Sequence, residues 1–253
     1  MIFLAVVQGI TEWAPISSSA HLVLAQDLFK INVSVAFDVM LHLGTLVGVM
    51  LFLRKDISSI VRTVLKLDFS SKEGRIFMYV IIGTIPTALI GFLLKDFFEA
   101  MFSNLFSTGI AMLVNSVLLY STKYSKPRKD LHAFDSLIIG FAQAAAITPG
   151  ISRTGITVSA ALLRGVEGSE AYRFSLLLSI LSIIGGSIVK LSDVNFEQES
   201  FMIILGILVT AIVGYFVLGK VRKYVVKLSF HKFAYYCLLV GIFILFLSIM
   251  KNS

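Results

Sequence analysis

Charge is scarce in this chain. Only 15% of its 253 residues are Asp, Glu, Lys or Arg, against about 25% in a soluble domain. With 57% hydrophobic residues and a mean hydropathy of +0.90, it lacks the polar surface of a water-soluble fold. Cysteine is scarcer still. Cys237 stands alone in an apolar run, which excludes an intrachain disulfide and any multi-cysteine metal centre. No Walker, HExxH or GxSxG motif occurs. The N-terminus has no basic stretch ahead of its apolar one, which runs into Glu12 and Trp13, so a cleavable signal peptide is not expected.

What is present is apolar sequence in blocks long enough to cross a bilayer, which takes about 20 residues as a helix. Six such segments fall at roughly 35–53, 76–94, 101–120, 171–191, 201–219 and 233–250. Two further stretches are apolar but interrupted. Residues 1–29 contain Gln8, Glu12, Pro15, Ser17, Ser18, Ser19 and His21; residues 134–163 contain Gln143, Pro149, Gly150, Ser152, Arg153 and Thr154. A proline break near the middle of each predicts a re-entrant helical hairpin, because broken backbone at membrane depth is tolerated only where protein or a water-filled cavity satisfies it. The expected fold is therefore an all-α polytopic membrane protein, residues 1–253 forming one integral membrane domain of six transmembrane helices and two re-entrant hairpins.

The net charge of +7, from 22 Lys+Arg against 15 Asp+Glu, points to anionic lipid headgroups rather than nucleic acid. Segments 54–75, 121–133 and 220–232 are basic, whereas 192–200 holds Asp193, Glu197 and Glu199 and no base. With six spans the three basic loops share one side, the cytoplasm. A shift of 135 residues lays Gln8 on Gln143, Ile16-Ser17 on Ile151-Ser152, Ser19 on Thr154 and Ala25 on Ala160. Each half, about 1–120 and 134–253, then contains a hairpin and three spans. Three is odd, so the halves are expected to be inverted, with a site where they meet.

Gln8 and Glu12 are four apart and share a helix face. A carboxylate inside an apolar segment is a functional candidate by default. After Pro15, Ser17, Ser18 and Ser19 can gather hydroxyls and backbone N–H groups at a helix start, a ready anion site, and His21 can serve as acid, base or nucleophile. The second break supplies Arg153, suited to multidentate phosphate contact, with hydroxyls from Ser152, Thr154 and Thr157. The two half-sites together describe a pocket for a phosphate-bearing ligand beside an acid/base group. His42, mid-span, reads as a packing residue, Asp38 as a partner for Arg173, and Trp13 as part of an interfacial belt.

Gln8-Gly9-Ile10-Thr11-Glu12, Pro15-Ile16-Ser17-Ser18-Ser19-Ala20-His21 and Pro149-Gly150-Ile151-Ser152-Arg153-Thr154-Gly155-Ile156-Thr157 resemble the undecaprenyl-diphosphate phosphatase family linked to bacitracin resistance, as does Phe174-Ser175-Leu176-Leu177-Leu178-Ser179. The resemblance implies hydrolysis of a polyprenyl diphosphate to the monophosphate, recycling a lipid carrier for cell-wall and glycan assembly in the cell membrane. It also implies dependence on a divalent cation (Mg²⁺ or Ca²⁺) with Glu12 as metal ligand, an extracytoplasmic opening, and a homodimer. Glu12, Ser18, His21 and Arg153 match the family's catalytic positions. Ser17, Ser152, Thr154 and Thr157 match its supporting hydroxyls, and Gln8 and Ser19 join the substrate-binding set. The chain departs from the pattern with a neutral Gln8, with Ala20 before the histidine, and with Leu181 where proline often follows. A different reading, a transporter or flippase of a polyprenyl phosphate, would use the same anion site but has no need of the Glu12, Ser18 and His21 set.

Overall fold

The computed structural model describes residues 1–31, 35–102, 104–190 and 200–252. Its helices are α1 (Ile2–Thr11), α2 (Ser18–Phe29), α3 (Val35–Phe52), α4 (Arg54–Leu65), α5 (Lys72–Leu93), α6 (Lys95–Phe102), α7 (Leu105–Ser121), α8 (Ala133–Ala144), α9 (Arg153–Leu163), α10 (Gly168–Lys190), α11 (Ser200–Val226) and α12 (Phe233–Asn252). Among the described residues no strand forms, so the all-α polytopic fold is as expected. By length and composition α5, α7, α10, α11 and α12 can each cross a bilayer. A sixth apolar segment, α3, meets α4 at a bend of 78°. Large apolar side chains such as Phe92, Val117, Phe201 and Phe246 stay exposed around the bundle, as a lipid-facing surface requires.

The structure corrects the connections. Residues 54–65, read as loop, form α4: Ile57, Ile60, Val61 and Val64 recur at helical spacing, and Ile60 is buried. Residues 95–102 form the short α6, so the following span starts at Leu105. Helix α11 continues to Val226, which puts Lys220, Arg222 and Lys223 on the end of a helix rather than in a loop. Asp193, Glu197 and Glu199 lie outside the described residues. α10 runs without interruption through Leu181. Arg173 pairs with Asp56 of α4 at 2.6 Å rather than with Asp38.

Both interrupted segments are helical hairpins whose ends come back together. At the first, Phe3 of α1 meets Phe29 of α2 with ring centroids 5.3 Å apart, and Asp27 pairs with Lys251 at the C-terminal end of α12. At the second, the buried Asp135 of α8 accepts from Arg164 at 2.8 Å and from Lys129 at 2.6 Å. This mouth lies by the turn Thr122–Tyr124, which packs on Phe230–Lys232 at the N-terminal end of α12. The two hairpins therefore open at opposite ends of the bundle.

Small residues let each hairpin's first helix reach a long helix closely, the usual way helices pack where lipid removes a hydrophobic drive. α8 meets α5 at Gly140 and Gly83, where Thr87 Oγ1 donates to the Gly140 carbonyl at 2.9 Å. α1 meets α11 at Gly9 and Gly214, where Thr210 Oγ1 donates to the Ala5 carbonyl at 3.1 Å. Trp13, expected at the interface, is instead fully buried against Gly214, because the chain turns inward straight after α1. A Cβ at Gly140 would run into the Gly83 carbonyl. Gly140→Val is expected to destabilise the protein by about 1–3 kcal/mol through overpacking, read as a lower thermal midpoint in detergent; an unchanged midpoint would show that α5 and α8 need no such contact.

Candidate active site

The breaks of the two hairpins face each other. The first runs from the end of α1 through Pro15 to Ser17, which caps α2 with its Oγ on the Ala20 amide at 3.4 Å. Ser17 has φ +66°, a left-handed conformation that a serine adopts only when its surroundings over-determine it. They do so here. Ser17 Oγ accepts from the Gly150 amide at 3.2 Å and shares a bond with Ser19 Oγ at 3.1 Å. Gly150, at φ +105°, sits where any side chain would strike Thr108 and Ala111. Ser152 caps α9, its Oγ on the Gly155 amide at 3.1 Å.

Glu12 is the centre of the site, with 4% of its side chain exposed. Its Oε2 accepts from Gln8 Nε2 at 3.0 Å and from Ser18 Oγ at 2.6 Å. Its Oε1 accepts from Arg153 NH2 of the other hairpin. The remaining Arg153 nitrogens are lightly engaged, NH1 reaching the Ser179 carbonyl at 3.4 Å, so donors remain for an anion. Thr154 Oγ1 donates to the Glu12 carbonyl at 3.4 Å. Gln8, Glu12, Ser18, Arg153 and Thr154, proposed from distant parts of the sequence, are thus brought together.

His21 is placed differently. Its Nδ1 lies 2.8 Å from the Ser17 carbonyl, which can only accept, so Nδ1 carries a proton. Its Nε2 lies 2.8 Å from the Tyr236 hydroxyl, and the two rings stack with centroids 5.7 Å apart. His21 is one turn along α2 from Ser18 and faces α12. Thr157 faces away from Glu12: its hydroxyl donates to the Arg153 carbonyl at 2.8 Å and shares a bond with Ser175 Oγ at 2.6 Å, tying α9 to α10.

Three residues at the site were not singled out for it from sequence. His42, expected to pack between helices, brings its Nε2 to 3.8 Å from Glu12 Oε2, while its Nδ1 donates to the Asp38 carbonyl at 2.9 Å. Tyr236 holds His21. The fully buried Asn115 of α7 joins the two breaks: its Oδ1 accepts from the Ser152 amide at 3.2 Å and its Nδ2 donates to the Pro15 carbonyl at 3.0 Å. A strongly polar side chain midway along an apolar helix was the available signal for His42 and Asn115.

Among the described residues no group of three or more His, Cys, Asp and Glu side chains could hold a metal ion. A hard cation with few protein ligands still fits. Gln8 Oε1 is a buried oxygen acceptor without a protein donor, next to the Glu12 carboxylate, and Mg²⁺ takes one or two such ligands with the rest from phosphate and water.

Fold and site define a class: a polytopic membrane protein in which a carboxylate, an arginine and several hydroxyls meet between two facing hairpin breaks. The chain belongs to the family described as bacitracin resistance protein BacA, whose sequence model matches residues 1–243. It is 40% identical to an undecaprenyl-diphosphatase of Halothermothrix orenii over 98% of this chain and 97% of that one. It is 38% identical to the protein of that name from Korarchaeum cryptofilum, over 96% of this chain and 97% of the relative. For the one from Methanosphaera stadtmanae the identity is 36%, over 98% and 97%.

Asn115→Leu keeps the branching and heavy-atom count of the side chain and removes both links between the breaks. Each buried group left without a partner costs about 1–3 kcal/mol, so the variant is expected to melt at a lower temperature in detergent. A midpoint equal to the parent's would show that the breaks hold each other without Asn115.

Proposed function

We propose that the protein is an undecaprenyl-diphosphatase: it hydrolyses a polyprenyl diphosphate to the monophosphate and inorganic phosphate, recycling a lipid carrier for cell-wall and glycan synthesis. The observation that carries this reading is Ser18 Oγ donating to Glu12 at 2.6 Å while Arg153 holds the other oxygen of the same carboxylate. A hydroxyl on a base, beside a phosphate-binding cation, is equipment for phosphoryl transfer, which transport does not require.

The terminal phosphate sits against Arg153 and the backbone N–H groups of the breaks, with the prenyl chain among lipid-facing helices. Arg153 offsets charge as it develops on the transferring group, commonly the largest catalytic contribution. Ser18 Oγ attacks the terminal phosphorus and gives its proton to Glu12. The bond from that phosphorus to the bridging oxygen breaks, and the prenyl monophosphate leaves as the anion. Water then attacks the phosphoserine, its proton taken by His21 Nε2 once the Tyr236 hydroxyl moves off. The phosphorus–Oγ bond breaks, Glu12 returns its proton to Ser18, and His21 gives up the water's proton to the departing phosphate or to solvent. Mg²⁺ or Ca²⁺, held by Glu12 and Gln8 Oε1, would supply charge neutralisation on the diphosphate when bound.

The two halves are proposed to be inverted repeats. The mouths at opposite ends of α12 support this, as do the matching threonine bonds onto Ala5 and Gly140, which are 135 positions apart. The cell membrane is the proposed location and a homodimer the proposed assembly, both resting on the family likeness.

Phosphate release from undecaprenyl diphosphate by purified protein in detergent tests the reaction. Arg153→Ala is expected to lower kcat by about 10²–10³, and Ser18→Ala to remove turnover beyond what positioning alone gives. Near-normal turnover in either folded variant would sink the scheme. Chelator is expected to stop release and added Mg²⁺ or Ca²⁺ to restore it; release that persists in chelator would remove the cation from the reading.

A further inference from the structure

A second cavity, of about 330 Å³, lies away from the hairpin breaks in the angle between α3 and α4, closed by α10 and α11. Arg54, Lys55, Arg173 and Arg222 line it, with Asp56 as the one carboxylate. Four basic groups and one acid leave a net charge of +3. Asp56 is already engaged by Arg173 at 2.6 Å, so it holds α4 onto α10 and leaves the other three cations uncompensated within the cavity.

Positive charge on this face is ordinary for a membrane protein. Charge that served topology alone would need no common focus. Here, cations from three separate helices, α4, α10 and α11, converge on one concave space. The depth of that space is set by α4, which turns 78° from α3, buries Ile60 and exposes Val61 and Leu65. Such a helix lies along the headgroup level of a bilayer. The remaining walls are apolar or amphipathic: Phe52 and Leu176 inside, with the half-exposed Leu51 and Tyr215 at the rim. None of Gln8, Glu12, Ser18, His21 and Arg153 lines this cavity, so it is distinct from the contact between the hairpin breaks, even though its wall residue Leu176 is only one helical turn from Ser179.

We propose that this cavity is a second anion site, which takes a phosphate monoester at headgroup depth on the basic face. Arginines supply planar, multidentate donors for its oxygens, and three uncompensated cations match a dianion better than the single charge of a diester. The same phosphate chemistry is offered by a lipid monophosphate and by free inorganic phosphate. The apolar rim gives a lipid chain a place to lie.

The test uses the full chain in detergent, with Arg153→Ala and Glu12→Gln introduced together, so that the first site loses its cation without leaving a buried charge unpaired. Binding of dioleoyl phosphatidic acid, dioleoyl phosphatidylcholine and inorganic phosphate is followed by native mass spectrometry and by thermal stabilisation. Phosphatidic acid is expected to bind, and Lys55→Ala/Arg222→Ala to weaken it roughly tenfold or more, as the loss of two headgroup-level cations implies. Lys126→Ala/Arg128→Ala removes equal charge from the same face outside the cavity and is expected to leave binding unchanged. Competition by inorganic phosphate would assign the site to the phosphate group alone, and its failure to a lipid headgroup with its chains; both support the proposal. Equal weakening by the two double substitutions, no weakening by either, or equal binding of phosphatidylcholine would overturn it.

Discussion

Glu12 and Arg153 carry opposite charges into a setting where neither would be stable alone. Glu12 is nearly fully enclosed, so solvent reaches little of its carboxylate. Removing one partner of such a pair leaves an uncompensated charge, which is far more costly than the pair is stabilising. The two hairpins are tied together by that constraint. Everything else between them serves geometry: Ser17 Oγ on the Gly150 amide, Asn115 on Ser152 and Pro15, Thr154 on the Glu12 carbonyl. Each break exposes backbone groups at a depth where solvent cannot satisfy them, and each supplies what the other lacks. The hairpins are mutual caps as much as they are halves of a site.

Much of this was legible in the chain itself. Proline breaks at Pro15 and Pro149 inside apolar segments marked the hairpins, and charges at Glu12 and Arg153 marked what they hold, because polarity in an apolar run has few physical justifications. Hydropathy failed where charge and apolarity share one helix. α4 carries Arg54, Lys55, Asp56 and Arg62 on twelve residues, and its apolar stripe shows only at helical spacing. His42 and Asn115 were opaque for another reason. A single polar side chain in a span looks the same in sequence whether it packs against a neighbour or reaches a site. Only the rotation of α3 and α7 about their axes decides, and that is set by contacts with distant segments such as Gly44 and Gly48 against the α11 backbone. Tyr236 gives no signal of its own, because a tyrosine near a span end suits the headgroup level as well as it suits a site.

The reaction assigned to the site asks one covalent step of the protein, at Ser18 Oγ, and much positioning. The arrangement reflects this. Ser18 stands on the first turn of α2, where its backbone is fixed by the Ser17 cap, and its hydroxyl is aimed by Glu12. His21 is held at both ring nitrogens. Hydroxyls that resembled substrate contacts in the sequence also hold α9 in place, Thr157 through Ser175 of α10 and Ser152 as the cap of α9. Precision at the centre is obtained by using neighbouring polar groups as struts.

The partner that satisfies Ser17 lies 133 residues further along the chain, and the cation that neutralises Glu12 lies 141 residues on. A ribosome delivers the first hairpin long before either exists. Until then a carboxylate and a broken turn must wait at the membrane surface or in partial shelter. The earlier hairpin therefore cannot settle until the later one arrives, and maturation of the site is timed by the second half.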